Sequence, residues 1–179
     1  MARRKQLLES YGFDCHCPTC ESAGEKSDIR RQAARDLDDL VTRERKYLKR
    51  LQALHLRIQL LEEEGLVGPD CARSLNDAIQ ITAMEGDLDR LQKYSHLAVG
   101  MYKRGGNTEA AKEARQWVVD SKAHPAASKK NTANPKEPLA KQDENEMLAD
   151  LEVSLGFTTE EQRAFREQIL EAAKNAIQL

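Results

Sequence analysis

The chain has 179 residues, 28 of them basic and 30 acidic, for a net charge of −2. It therefore lacks the broad positive field that holds a nucleic-acid backbone by charge alone. Aromatic residues at 4% argue against a β-sandwich or barrel, while 40% hydrophobic and 32% charged residues suit an all-α array with a wet surface.

The longest stretch free of charged side chains, Tyr94 to Tyr102, has nine residues, against the roughly 18 that a bilayer-spanning helix needs. No membrane association is expected. The opening residues MARRKQLLES carry basic side chains with no apolar run behind them, which does not support a secretory leader. Three of the four cysteines fall within residues 15–20, a poor disulfide framework, and this points to a reducing, intracellular setting.

In chain order, Arg3 to Ser10 suits a short helix that breaks at Tyr11-Gly12-Phe13 and leads into Cys15, Cys17 and Cys20. From Ser27 the pattern predicts one long helix ending at Gly65 and Gly68-Pro69. Its apolar stripe is Leu37, Leu40, Tyr47, Leu51, Leu54, Ile58 and Leu61, interrupted by Glu44 and widened by Leu48, Leu56 and Leu60. That width favours packing inside an array over a lone coiled coil. His55 beside the stripe reads as a partly buried core histidine.

Pro69 opens the next helix, with Cys71, Leu75, Ala78 and Ile79 facing a core. Gly86 and Asp87 supply a stop and a cap, and a turn at Gly105-Gly106-Asn107 separates two further helices. Asp87 to Asp120 spans 34 residues, the length of a tetratricopeptide unit. Residues 121–145 hold three of the five prolines and almost no apolar side chains, the composition of a flexible linker. A helical tail over 146–179 follows. Met147, Leu148, Leu151 and Leu155 form its first stripe. Thr158 caps its last helix, with Glu161 completing a capping box and Phe165, Ile169, Ala172 or Ala173, and Ala176 as its apolar face. The expected organisation is a cysteine module over 1–24, a helical domain over 27–120, the linker and the tail.

The dense chemical signal is Cys15, Cys17 and Cys20. Thiolates one and two residues apart can converge on a soft cation, and zinc is the natural one. A closed zinc site needs four ligands. His16 would have to turn inward from between two ligands, and Cys71 belongs to a helix stripe, so the site is one ligand short. A metal-free cluster and a Cys17–Cys20 redox pair are the competing readings, the latter without the βαβ context that it needs.

The string RRKQLLESYGFDCHCPTC, residues 3–20, resembles the end of the SET domain and the post-SET zinc module of protein lysine methyltransferases, above all the SET-and-MYND type and its fungal relatives. In that family a basic helix leads to an aromatic-x-Phe-x-Cys-x-Cys-x-x-Cys module, followed by a helical domain of tetratricopeptide character. The resemblance implies that Cys15, Cys17 and Cys20 bind zinc with a fourth cysteine from the SET core. It implies also that Phe13 packs against the adenine of S-adenosylmethionine, and that Tyr11 walls the channel for the target lysine. Such a protein would act on a histone or another protein, in the nucleus, the cytoplasm or both.

The glycine-bearing cofactor loop and the Asn-His pair that the family places upstream are not among these residues. The chain alone is therefore expected to transfer no methyl group, since nothing aligns and desolvates the reacting atoms. The alternative is a non-enzymatic helical adaptor that binds a peptide or protein partner.

Overall fold

A computed structural model describes residues 2–16, 24–66, 68–127 and 159–178. The described residues form seven α-helices and no strand: α1 (Ala2–Tyr11), α2 (Glu25–Arg43), α3 (Tyr47–Glu63), α4 (Pro69–Glu85), α5 (Leu88–Arg104), α6 (Thr108–Val119) and α7 (Thr159–Gln178). The all-α expectation is met. Helices α2 to α6 pack each on the next in chain order, and α7 packs against α2.

The long helix expected from Ser27 to Gly65 is two helices. Glu44 leaves the helical region at φ −72° and ψ 134°, and its carboxylate accepts the backbone N–H groups of Arg45 and Lys46, both at 2.8 Å. Those bonds to backbone donors hold its carboxyl below the usual carboxylate range. A folded-back carboxylate thus turns the chain without glycine or proline.

The hairpin that results is in register along its whole length. Ser27 meets Glu64, Arg57 meets the carbonyl of Ala34, and Arg50 meets the carbonyl of Val41. Leu48, expected to widen the stripe, is 42% exposed. It lies in the first turn of α3, before neighbours close around the helix from Leu51 onward.

Helix α3 is then buried on every side from Leu51 to Ile58, because α2 and α4 both pack on it. Leu51, Leu54 and Leu60 have no exposed surface, and each full burial contributes about 2 kcal/mol. An unpaired buried guanidinium would cancel several such contributions, so the partners of Arg57, which is 4% exposed, decide whether α3 can sit there. Its Nε donates to the Ala34 carbonyl and its Nη1 to the Asp70 carbonyl, each at 3.1 Å, and Nη1 donates also to the Ser74 hydroxyl. One side chain thereby joins α2, α3 and α4.

The other boundaries follow their signals. Helix α4 starts at Pro69, and Gly86 stops it at φ 73°, a left-handed turn that glycine enters without strain. Asp87 accepts from the Arg90 N–H, and Asn107 accepts from the Ala110 N–H. Past residue 120 the chain stays packed for a few residues: Ser121–Ala123 is a 3-10 turn, and Ser121 and His124 are buried. The His124 ring meets Trp117 edge-on with centroids 4.4 Å apart, and burial lowers its pKa.

Helix α7 faces α2 with Phe165, Ile169 and Leu170, and settles the register of the tail on Ala173, which has no exposed surface. Ala172 and Ala176 are exposed. The expected Met147–Leu155 stripe and the Thr158 cap lie outside the described residues.

Candidate functional site

The N-terminal segment is built by the end of α1. Gly12 adopts φ 63°, and the chain turns back with Gly12 N–H on the Leu8 carbonyl at 2.9 Å and Phe13 N–H on the Leu7 carbonyl at 3.4 Å. The reversal brings Asp14 to Arg4, whose Nη2 donates to Asp14 Oδ2 at 2.9 Å while Nε donates to Oδ1. His16 Nε2 stands 3.4 Å from Asp14 Oδ2. The Arg4 hydrogen bond holds the Asp14 carboxyl below its usual range.

This clasp presents apolar side chains to the outside. Tyr11 is 78% exposed, Phe13 55% and Leu8 51%. Cys15, half-buried, is a free thiol, while Cys17 and Cys20 lie outside the described residues. No group of three His, Cys, Asp or Glu side chains able to hold a metal occurs among the described residues. Among the described residues, the segment displays Tyr11, Phe13 and Cys15 along one short stretch without enclosing anything. An aromatic ring open to water cannot desolvate an adenine or a lysine amine; that takes an opposing wall.

Cys71, read as core, is buried, and burial pushes its thiol up to about 12, with Glu62 adding to the effect. It is an inert packing residue rather than a nucleophile or ligand. His55 is 4% exposed, with Gln59 Nε2 3.4 Å from its Nε2.

Sequence reasoning missed the polar interior. Glu64, at the acidic end of α3 where a solvated face would be expected, has a side chain only 4% exposed. Burial pushes its pKa up, but the Ser27 hydroxyl and the guanidinium groups of Arg30 and Arg31 outweigh that and hold it below the usual range. Arg30 Nε donates to Oε1 at 2.6 Å and Arg31 Nε to Oε2 at 3.0 Å. Arg57 was missed as well. Its signal in the sequence is its place between Leu56 and Ile58, in a helix whose apolar stripe is too wide for one packed face.

No protein-family profile matches the chain, and no solved structure matches it. The chain is similar to the histone-lysine N-methyltransferase set5 of Schizosaccharomyces pombe, with 30% identity over 162 residues, which cover 86% of this chain and 49% of that protein. An all-α array behind a short cysteine-bearing segment is thus related in sequence to a histone-lysine methyltransferase. The chain spans about half the length of that relative.

Proposed function

We propose that these residues are the C-terminal portion of an S-adenosylmethionine-dependent protein lysine methyltransferase of the SET family. The carrying observation is the 30% identity to a histone-lysine N-methyltransferase along 86% of the chain. Support comes also from α1 and its exit turn, where Leu8, Tyr11 and Phe13 stand exposed on a segment that Arg4 and Asp14 hold in shape. Apolar side chains displayed together from one turn fit a surface that a catalytic body covers.

In this reading Phe13 lies against the adenine of the methyl donor and Tyr11 lines the lysine channel. Cys15, Cys17 and Cys20 hold zinc with a fourth ligand from the catalytic core. Three thiolates suit zinc's preference for sulfur and are one short of a closed tetrahedral site, so the metal would fasten the module to that core. The helical domain, tetratricopeptide-like in this reading, would gate or bind the protein substrate, histone or not, in the nucleus or cytoplasm. Residues 1–179 contain no Asn-His pair, and this portion alone is inactive.

The test is a fusion of the half of the set5 protein that this chain does not cover to residues 1–179. Elemental analysis should find zinc in the purified fusion, and Cys17→Ser should release it with the array's helical signal unchanged. Zinc unaffected by Cys17→Ser would reject the ligand assignment.

A further inference from the structure

We propose that residues 120–127 form a pH-sensitive strap across the end of α6, closed on Trp117 while the His124 ring is neutral and released when that ring takes up a proton. The strap concerns the helical array alone and does not rest on the methyltransferase reading. Past α6 the chain turns back on itself. Asp120 Oδ1 accepts the Lys122 N–H at 3.1 Å, the Asp120 carbonyl accepts the Ala123 N–H at 3.1 Å, and the His124 carbonyl accepts the Ala127 N–H at 2.9 Å. Both α5 and α6 pack on this turn, and Ser121 and His124 are left only 1% and 3% exposed.

The imidazole is the pin of the strap. Its Nδ1 accepts the Ala126 N–H at 3.1 Å, so the proton of the neutral ring sits on Nε2. That Nε2 is buried and meets no acceptor among the described residues, and Ser121 Oγ is likewise buried without a partner. The ring packs edge-on against Trp117, with centroids 4.4 Å apart and planes at 64°. The two orphaned polar atoms weaken the closed form, because both regain hydrogen bonds in water when the turn lifts. A strap so balanced opens on a single change at His124.

A second proton has only Nδ1 to go to. There it meets the Ala126 N–H, so an accepting bond becomes a clash of two donors, and the new charge is shut away from water. Glu113, one turn before Trp117 on α6, is the charged group that acts on His124 among the described residues, and it favours the cation. Burial outweighs it and lowers the pKa. Helix α5 adds no charge at the ring; its neutral Gln92 donates from Nε2 to the Val118 carbonyl at 2.7 Å, just ahead of the turn. Trp117 attracts a cation as well, but only a ring that keeps its place, which the Ala126 N–H opposes. The released strap, with its ring in water near the ordinary value of 6.5, therefore takes the proton before the closed one does. Closure is complete above that value and is lost as pH falls from there through the lowered one.

The test follows amide exchange and the fluorescence of Trp117, the one tryptophan of the chain, in the full 179-residue protein from about pH 7.5 to about pH 5. Protection of the Ala126 and Ala127 N–H groups should fall at least ten-fold while Ala114 in α6 keeps its own. Trp117 emission should change with the same midpoint, below 6.5. His124→Asn keeps an acceptor two residues before Ala126 and removes the titrating ring, so both signals should be flat across the range. Glu113→Gln should move the midpoint to lower pH, and His96→Asn should leave it in place. The proposal is overturned if Ala126 is equally protected at both ends of the range, if the His124 ring titrates at or above its ordinary value by NMR, or if the transition persists in His124→Asn. Tighter closure at acid pH, the result if attraction to Trp117 and Glu113 prevails, would also overturn it.

Discussion

The Tyr47 hydroxyl donates to Asp87 Oδ2 at 2.8 Å, fastening the first residue of α3 to the residue that caps α5. Asp87 also accepts the Arg90 N–H at 3.2 Å through Oδ1 and binds the Arg90 guanidinium through Oδ2. Burial, reinforced by the Asp87 charge, pushes the Tyr47 hydroxyl well above its ordinary pKa. Asp87→Ala removes the cap and strands the tyrosine, so a loss of about 2 kcal/mol is expected in urea unfolding, against about 1 kcal/mol for Tyr47→Phe. A double-mutant cycle should give coupling of about 1 kcal/mol. Strict additivity would show that the two groups act independently.

Glu64 sets the acid limit of the hairpin. Its folded pKa lies below the ordinary value of 4.5, so the unfolded chain takes up the proton first as pH falls. The stability it contributes is complete above that value and is lost as pH drops through the lowered folded pKa. Glu64→Gln should destabilise the chain by about 2 kcal/mol at neutral pH, and the gap from wild type should narrow toward about pH 3. Parallel stability curves for the two proteins across that range would contradict the role of the Ser27 and Arg30 contacts.

The two described cysteines should differ sharply in reactivity. Burial holds the Cys71 thiol protonated, with its pKa pushed up to about 12, whereas Cys15 is half-buried in the N-terminal segment. Treatment of the native protein with iodoacetamide at neutral pH, followed by peptide mass mapping, should label Cys15 and leave Cys71 unmodified until denaturant is added. Early labelling of Cys71 would mean that α4 opens readily.

Helix α7 is held chiefly by burial. Arg166 grips both oxygens of Glu63, at 2.8 and 2.9 Å, but an ion pair this exposed contributes no more than about 1 kcal/mol. Ala173, by contrast, has no exposed surface. Ala173→Asp should abolish amide protection in α7 and raise exchange along α2, while Arg166→Ala has little effect and α5 and α6 stay protected in both. Loss of protection throughout the array would show that α7 is integral to its core.

What could be read in the sequence were the features with a local cause. Pro69, the Gly86-Asp87 pair and Asn107 each act within one turn, and each boundary falls where its chemistry places it. The break at Glu44 also has a local cause, but it is a carboxylate bonding to the next two N–H groups, a device that charged residues leave unmarked in hydrophobic periodicity. Arg57, Glu64 and His124 were hidden for a different reason. Their burial depends on partners 10 to 40 positions away or on an aromatic ring that only the folded chain brings alongside. At the N-terminal site the residue types and spacing were legible, yet no described residue covers Tyr11 and Phe13, which stand exposed.

Methyl transfer separates a catalytic fragment from a helical adaptor. The fusion of the set5 half to residues 1–179, incubated with histones and radiolabelled S-adenosylmethionine, should label lysine, and Phe13→Ala in the fusion should raise the KM for the methyl donor. Residues 1–179 alone should transfer no label. Label transferred by the isolated chain, or a folded, zinc-loaded fusion that neither binds the methyl donor nor modifies lysine, would contradict the account.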